Sequence, residues 1–370
     1  MPSVKTKKKI LFALISVLIA IVGTLIAAEL LIRLLPYNEG LRAMPVNAKT
    51  PIFHFQPGRA ITWSEGWDFA IINQVRVNND GFVNGQDYDP QAETPLLAII
   101  GDSYIESGIV PYTETVQGRL AKLVEDKGRV YSFAASGAGL SQYLVWAAYA
   151  RDTYHPDGFV FSIIGNDFSE SLYHREHSPG FHHFRKKDDG SAELMRIDYE
   201  PSLVRRIFRN SALAMYLVTN ANLPNLLNFS LNNLGKDDKR WVANIPATSD
   251  EEILADFRWA VDSFLDALPQ ATGLPMERIT LTFDGFRPQM YEDKLDFALT
   301  SVWAKMRDYM IGQATARGIN IIDLHPVFME RFAEEGKRFE FPTDSHWNPE
   351  GHRAVTDAIA KSGFLNPVFD

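Results

Sequence analysis

The sequence predicts an α/β fold, a doubly wound parallel sheet preceded by one N-terminal transmembrane helix. Three observations predict it. A lysine-rich start runs into an apolar stretch long enough to cross a bilayer. Beyond it, short continuous apolar runs alternate with stretches of helical periodicity, the pattern of buried parallel strands joined by crossover helices. The polar residues able to do chemistry fall just after those runs, where such a sheet places its site.

Lys5, Lys7, Lys8 and Lys9 precede an apolar stretch over 10–28, broken only by Ser16, Gly23 and Thr24. The stretch continues through Leu30, Leu31, Ile32, Leu34 and Leu35, with Glu29 and Arg33 one helical turn apart. About 20 apolar residues span a hydrocarbon core as a helix. Lysines before the span and none just after it place the N-terminus in the cytoplasm and everything beyond Pro36 outside. The alternative is a cleaved signal peptide. A shorter apolar core and a small-x-small site near Ala27 and Ala28 would mark one, and neither is present, so an uncleaved anchor is expected.

Residues 37–94 are rich in Pro, Asn, Gly and aromatics, with a strand-like piece at 74–77 and the turn signal Asn79-Asp80-Gly81. They read as a lead-in packing on the main domain. Residues 96–100 form the first buried strand, and 116–124 follow with helical spacing. Residues 129–133 are a second strand and 143–149 lie in a second helix. Residues 159–164 are a third strand; 279–283 and 319–322 supply two more, with one helix over 295–313 between them. Residues 349–361 form the final helix, stopped by Gly363. The organisation expected is therefore tail and anchor over 1–36, lead-in over 37–94, and catalytic domain over 95–370. From 170 to 250 the rhythm breaks into a polar insertion with an Arg185–Gly190 charge cluster, an Asn-rich run over 220–233 and one helix near 203–218. It reads as a rim segment that selects substrate.

Composition narrows the chemistry. The 370 residues suffice for a large core, and 46% hydrophobic against 22% charged residues is globular. A net charge of −9 provides no basic field, so nucleic acid is not an expected partner. There is no cysteine, which removes disulfides, thiolate zinc sites and thiol catalysis.

Four polar motifs remain. Gly101-Asp102-Ser103 follows the first strand and exposes a serine at the sheet rim, although the same triplet is ordinary turn chemistry. Ser136-Gly137-Ala138-Gly139 follows the second strand, where glycine lets a backbone amide approach a ligand. It lacks the flanking glycines of a nucleophile elbow, since Ala134 and Ala138 occupy those places. Gly165-Asn166-Asp167 ends the third strand; an asparagine amide there can donate to a developing oxyanion, and Asn-Asp is also a common helix cap. In Asp344-Ser345-His346-Trp347-Asn348-Pro349 the acid and the imidazole sit two apart, on one side of an extended segment. The carboxylate can then hold the imidazole as the acid of a Ser-His-Asp triad does. His352 lies inside the following helix and reads as structural. Singly each motif is modest. Jointly they supply nucleophile, base, orienter and oxyanion donors at one sheet edge.

On these four blocks the sequence resembles the SGNH/GDSL hydrolase superfamily, named for its Ser, Gly, Asn and His. Ser103 matches the first block, Gly137 the second, Asn166 the third, and Asp344 with His346 the last, over about 95–170 and 279–363. The resemblance implies a flavodoxin-like three-layer αβα sandwich, ester chemistry without metal or other cofactor, and an oxyanion hole made by the Ser103 and Gly137 amides with the Asn166 side chain. Arg76-Val77-Asn78-Asn79-Asp80-Gly81-Phe82 and the string from His346 to His352 resemble single-anchor bacterial members. Inner-membrane attachment is implied, with the catalytic domain periplasmic or extracellular. Ile164 stands where the third block usually has its first glycine, and the Asp-to-His spacing is two where three is usual. The Asp-x-His-Trp form is similar to enzymes that O-acetylate exopolysaccharides such as alginate.

The expected activity is a serine esterase acting on acyl, chiefly acetyl, esters of an envelope or exopolysaccharide glycan through an acyl-enzyme on Ser103. Partners would be an acylated carbohydrate and, through the N-terminal helix, the lipid bilayer. One alternative is a polysaccharide O-acetyltransferase using the same residues, fed by a membrane acyltransferase partner. Another is a non-catalytic glycan-binding or scaffold protein on a dead fold. His174, His177, His182 and His183 lack a zinc-like framework and read as solvated loop or substrate contacts. Trp63, Trp67, Tyr143 and Trp146 are read as packing residues before sugar platforms.

Overall fold

A computed structural model describes residues 4–223 and 241–370 of the chain. Two compact units are separable. One comprises Met1–Leu41, Ile61–Gln74 and Pro201–Gly235, the other Arg42–Ala60, Val75–Glu200 and Lys236–Asp370. The lead-in is thus divided between the two. Most of the Asn-rich run, residues 224–233, lies outside the described residues.

In the first unit a 29-residue helix, Val4–Ile32, carries the N-terminal apolar stretch. Its part Lys5–Ile32 is long and apolar enough to cross a membrane. The helix near 203–218 is in fact broken. Leu203–Phe208 and Ala212–Met215 are separate, because Ser211 caps the second by accepting from Ala214 N. A serine that satisfies free helical N–H groups favours a new helix start over continuation.

The second unit holds a five-stranded sheet whose strands are all parallel. They are β1 (Leu96–Gly101), β2 (Arg129–Ala134), β3 (Gly158–Ile163), β4 (Ile279–Phe283) and β5 (Asn320–Asp323). The spatial order is β2-β1-β3-β4-β5. β1, β3 and β4 are buried along their whole length, which explains their apolar or β-branched character, broken only by Ser162. Alternate residues serve opposite faces. Leu97 and Ile99 join Val116, Leu120, Leu324, Phe328, Val355 and Ile359 in one cluster. On the other face Phe161 meets Phe264 edge-on, at 5.6 Å between ring centroids. Helices Leu140–Tyr154, Glu251–Thr272 and Val302–Ala316 pack together, as do Val116–Leu123, Leu324–Glu335 and Pro349–Lys361. The result is a three-layer αβα sandwich with the flavodoxin-like strand order, whose crevice lies between β1 and β3.

Two expectations are corrected. The single helix over 295–313 is a short turn, Leu295–Ala298, followed by Val302–Ala316, with Ser301 capping the latter through Ala304 N. Two hairpins occupy the insertion, which had suggested only one helix. His182–Lys186 pairs with Ala192–Arg196. Trp241–Val242 pairs with Ile245–Pro246 around Ala243 and Asn244, both at positive φ (49° and 66°). That is the backbone of a tight hairpin turn, for which asparagine is a favoured residue.

Candidate active site

Three loops leave the C-terminal ends of β1, β2 and β3, and a fourth precedes the last long helix. After β1, Asp102 accepts from Tyr104 N at 2.9 Å and so caps the one-turn helix Ser103–Glu106. This puts Ser103 at the helix start, where peptide dipoles favour negative charge. Ser103 Oγ lies 2.8 Å from His346 Nε2, and His346 Nδ1 lies 2.5 Å from Asp344 Oδ1. Asp344 Oδ1 also accepts from His346 N at 2.7 Å, so the two-residue spacing closes a small ring that fixes the imidazole. An ionised carboxylate only accepts, so Nδ1 carries the proton and Nε2 accepts from Ser103. Burial pushes the Asp344 carboxyl up, but its bonds to and attraction for His346 outweigh that and hold it below the usual range.

Gly137 follows β2 with φ +82°, a conformation in which an L side chain is strained. Among the described residues, no internal acceptor is bonded to the Ser103 or Gly137 amide. Ser136, just before it, is gripped by Glu106: Ser136 N donates to Oε2 at 2.8 Å and Ser136 Oγ to Oε1 at 3.1 Å. After β3, Gly165 leaves no room for a side chain, since a Cβ would lie 2.4 Å from Ala243 O. Asn166 Nδ2 donates to Glu170 Oε2 at 2.8 Å and lies 3.4 Å from Asp102 Oδ2. Ser103 Oγ is 3.5 Å from the same Asp102 oxygen. Serine and asparagine thus flank one buried carboxyl.

The acids around this point are unusual. Burial, aided by neighbouring negative charge, pushes Asp167 well above the usual carboxylate range, Glu170 to about 8 and Glu106 to about 7. Burial raises Asp102 too. Raising these acids reduces the negative charge that four carboxylates would otherwise crowd beside Ser103 and Asn166. None of these four had been singled out as a site residue in the sequence. Asp102 and Asp167 stood inside the quoted motifs, but Glu106 and Glu170 had no pattern to mark them.

The segment bearing Asp344 and His346 is held by a buried cation. Arg287, nearly fully buried, grips Asp284 bidentately (Nε to Oδ1 3.0 Å, Nη2 to Oδ2 2.8 Å) and donates to Ser345 O at 3.0 Å. Tyr104 OH donates to the same carbonyl at 3.0 Å, and its ring lies 4.7 Å from the His346 ring. Trp347 Nε1 donates to Asp284 Oδ1 at 3.0 Å, which gives the tryptophan of the last block a structural role. From the insertion, Asn244 Oδ1 accepts from Ser345 Oγ at 3.0 Å.

Other histidines are accounted for. Burial lowers His352 to about 3, so it is neutral; it accepts from Val116 N at 3.2 Å and its other nitrogen meets Ser107 Oγ at 2.8 Å. His182 and His183 are buried and not solvated as expected, bonded to Gln142 Oε1 and Glu170 O respectively. His174 pairs with Asp256 at 2.9 Å. Tyr143 and Trp146 are core, whereas Trp67 is 72% exposed. Among the described residues, no group of three or more His, Cys, Asp or Glu side chains could hold a metal ion.

With this geometry in view, residues 286–365 match the family model described as SGNH hydrolase-like domain, acetyltransferase AlgX. That segment is SGNH hydrolase-like. It contains Arg287, Asp344, His346 and Trp347; Ser103, Gly137 and Asn166 lie outside it. No curated protein matches the chain. Solved structures similar to it include the lipase Lip_vut3 from a goat rumen metagenome (12% identity, 73% of this chain and 98% of that one, TM-score 0.40). Others are the acetyl xylan esterase AlAXEase (11%, 72% and 98%, TM-score 0.36) and a lipase/acylhydrolase from Enterococcus faecalis (10%, 74% and 96%, TM-score 0.37). The Asp-x-His-Trp string falls in the part matched to that family model.

Proposed function

We propose that this chain is a membrane-anchored enzyme of acyl esters, working outside the cytoplasm on acetyl groups of an envelope or exopolysaccharide glycan through an acyl-enzyme on Ser103. The relay from Ser103 Oγ to His346 Nε2 at 2.8 Å, and from His346 Nδ1 to Asp344 at 2.5 Å, carries this reading. His346 takes the Ser103 proton as Oγ bonds to the ester carbonyl carbon, and Asp344 stabilises the imidazolium. The oxyanion accepts from the Ser103 and Gly137 amides and from the Asn166 N–H that makes the long 3.4 Å bond to Asp102 Oδ2 when no substrate is bound. One such donor is worth about 3–4 kcal/mol in the transition state. The C–O ester bond breaks and the leaving alkoxide takes the proton from His346. A second hydroxyl then surrenders its proton to His346 and attacks the acyl carbon, and Ser103 departs reprotonated.

If that hydroxyl is water the enzyme is an esterase. If it belongs to a glycan the enzyme is an O-acetyltransferase, drawing acyl groups from a membrane acyltransferase partner. The family match over 286–365 favours transfer. With nitrophenyl acetate the chain should give a burst of nitrophenol that Ser103→Ala and His346→Ala both lose; turnover retained in Ser103→Ala would overturn the mechanism. Acetylated glycan against free acetate, measured with an acceptor glycan present, separates transfer from hydrolysis. Glycan binding without turnover of any acyl ester would instead support the scaffold reading.

A further inference from the structure

Within the first unit, the short helix Leu203–Phe208 leaves its apolar side chains uncovered. Leu203 is 75% exposed, Val204 64%, Ile207 71% and Phe208 57%. At helical spacing these four share one side, and Arg205, Arg206 and Arg209 take the other. Hydrophobic side chains so exposed, on consecutive turns, call for a covering partner.

The neighbouring contacts say what covers them. Glu29, near the end of the N-terminal helix, accepts from Ser211 Oγ at 2.7 Å, Ala212 N at 3.0 Å and Leu213 N at 2.9 Å. Arg33 donates to Asn210 O at 3.0 Å. These bonds tie the 203–215 segment to the outer end of the apolar helix. Ile207 and Leu213 also line an open apolar groove with Val22, Leu25, Ile26 and Leu30 of that helix. From Ile10 to Glu29 a helix extends roughly 30 Å, the thickness of a hydrocarbon core. With Glu29 at the outer boundary, Val22 to Ile26 lie among the acyl chains of the outer leaflet. Ile207 shares their groove, which runs from Val22 to Glu29 and Leu30 at the boundary.

We infer that Leu203–Phe208 is a second membrane contact, an interfacial helix whose Leu203, Val204, Ile207 and Phe208 side chains enter the outer leaflet beside the anchor. The inference rests on the reading of Val4–Ile32 as a membrane span. Such a helix lies in the headgroup plane with its apolar side inserted and its basic side toward water and phosphates. The bilayer surface, continuous with the span, is the occupant of the exposed face. It would hold the first unit at a fixed tilt, where a single helix would leave it to swivel.

The absence of cysteine makes the test clean, because one introduced thiol labels one place. The full chain is reconstituted in phosphatidylethanolamine–phosphatidylglycerol vesicles with a polarity-sensitive fluorophore at Leu18→Cys, Arg206→Cys, Ile207→Cys or Phe208→Cys. The expected result is blue-shifted emission, several-fold stronger quenching by spin-labelled lipid than by iodide, at Ile207 and Phe208 as at Leu18, with the reverse order at Arg206. Iodide-accessible, red-shifted emission at both Ile207 and Phe208, with Leu18 shielded, would overturn the inference and leave the span standing. Accessible emission at Leu18 itself would overturn the span and this inference together. Two labelled positions on the face keep the result readable if one variant folds poorly.

Discussion

Asn166 Nδ2 carries two hydrogens: Glu170 Oε2 accepts one at 2.8 Å, which aims the amide, and Asp102 Oδ2 accepts the other in a long 3.4 Å bond that a substrate oxygen would have to displace. Glu170 therefore acts through Asn166 as a positioning residue, and its charge matters. Burial and the nearby Asp102 push its carboxyl up to about 8, so it is mostly neutral at neutral pH and ionises above. A negative charge there opposes the oxyanion. The expected outcome is a fall in kcat on the alkaline side with an apparent pKa near 8, read from a pH profile of acetyl-ester turnover. Glu170→Gln still accepts from Asn166 and cannot ionise, so it should keep kcat at neutral pH within a few-fold and lose the alkaline limb. An unchanged alkaline limb in that variant would count against the role. Asp344 works the other way, since it must stay ionised to accept from Nδ1–H. Asp344→Asn offers a donor, favours the wrong tautomer, and should lower kcat roughly 10⁴-fold with little change in KM.

At the scale of elements, the strand carrying Asp344 and His346 is positioned by groups remote in sequence. Trp347, Ser345 and Tyr104 all converge on Asp284 and Arg287. Removing the cation leaves Asp284 and Glu340 as buried acids without their partner, so Arg287→Met should destabilise the fold by about 3–5 kcal/mol in denaturant titration. Trp347→Phe keeps an aromatic side chain but drops one bond to a charged group, a loss of about 1.5–3 kcal/mol, and leaves a void where the buried indole was larger, which adds to it. It should also lower kcat more than it raises KM, because the loop holds the base and not the substrate. Sequence reasoning picked out Ser103, Gly137 and Asn166, because each follows a largely apolar strand, and the structure places Ser103 beside His346 and Asp344. It missed Arg287, Glu340 and Glu106, whose roles arise from contacts tens of residues or more apart, and Glu170, whose bond to Asn166 four residues away lies in a one-turn helix too short to show a period. The helix over 295–313 went wrong for a local reason. Its apolar spacing runs through Thr300 and Ser301, while the Ser301 hydroxyl gives the chain an alternative partner and restarts the helix.

Across the whole sheet-bearing unit, the buried acids around the sheet edge couple stability to pH. Glu106 rises from the ordinary 4.5 to about 7 and Glu170 to about 8, both chiefly through burial. The folded state thus holds protons that the unfolded chain releases above about pH 4.5. Stability contributed by these groups is complete below that value and is lost as pH rises through 7 to 8. Asp344, held low, contributes the opposite dependence at acid pH, present above its unfolded value and lost as pH falls below it. The net expectation is a thermal midpoint that declines from about pH 5.5 to about pH 9, against the usual plateau for a protein whose acids are salt-bridged. Glu106→Gln with Glu170→Gln should flatten that decline, since amides fill the same volume and carry no proton to lose. A midpoint that stays level across this range in the unmodified chain would show that the two carboxyls are ionised in the folded state. The alkaline fall in kcat assigned to Glu170 would then need another source.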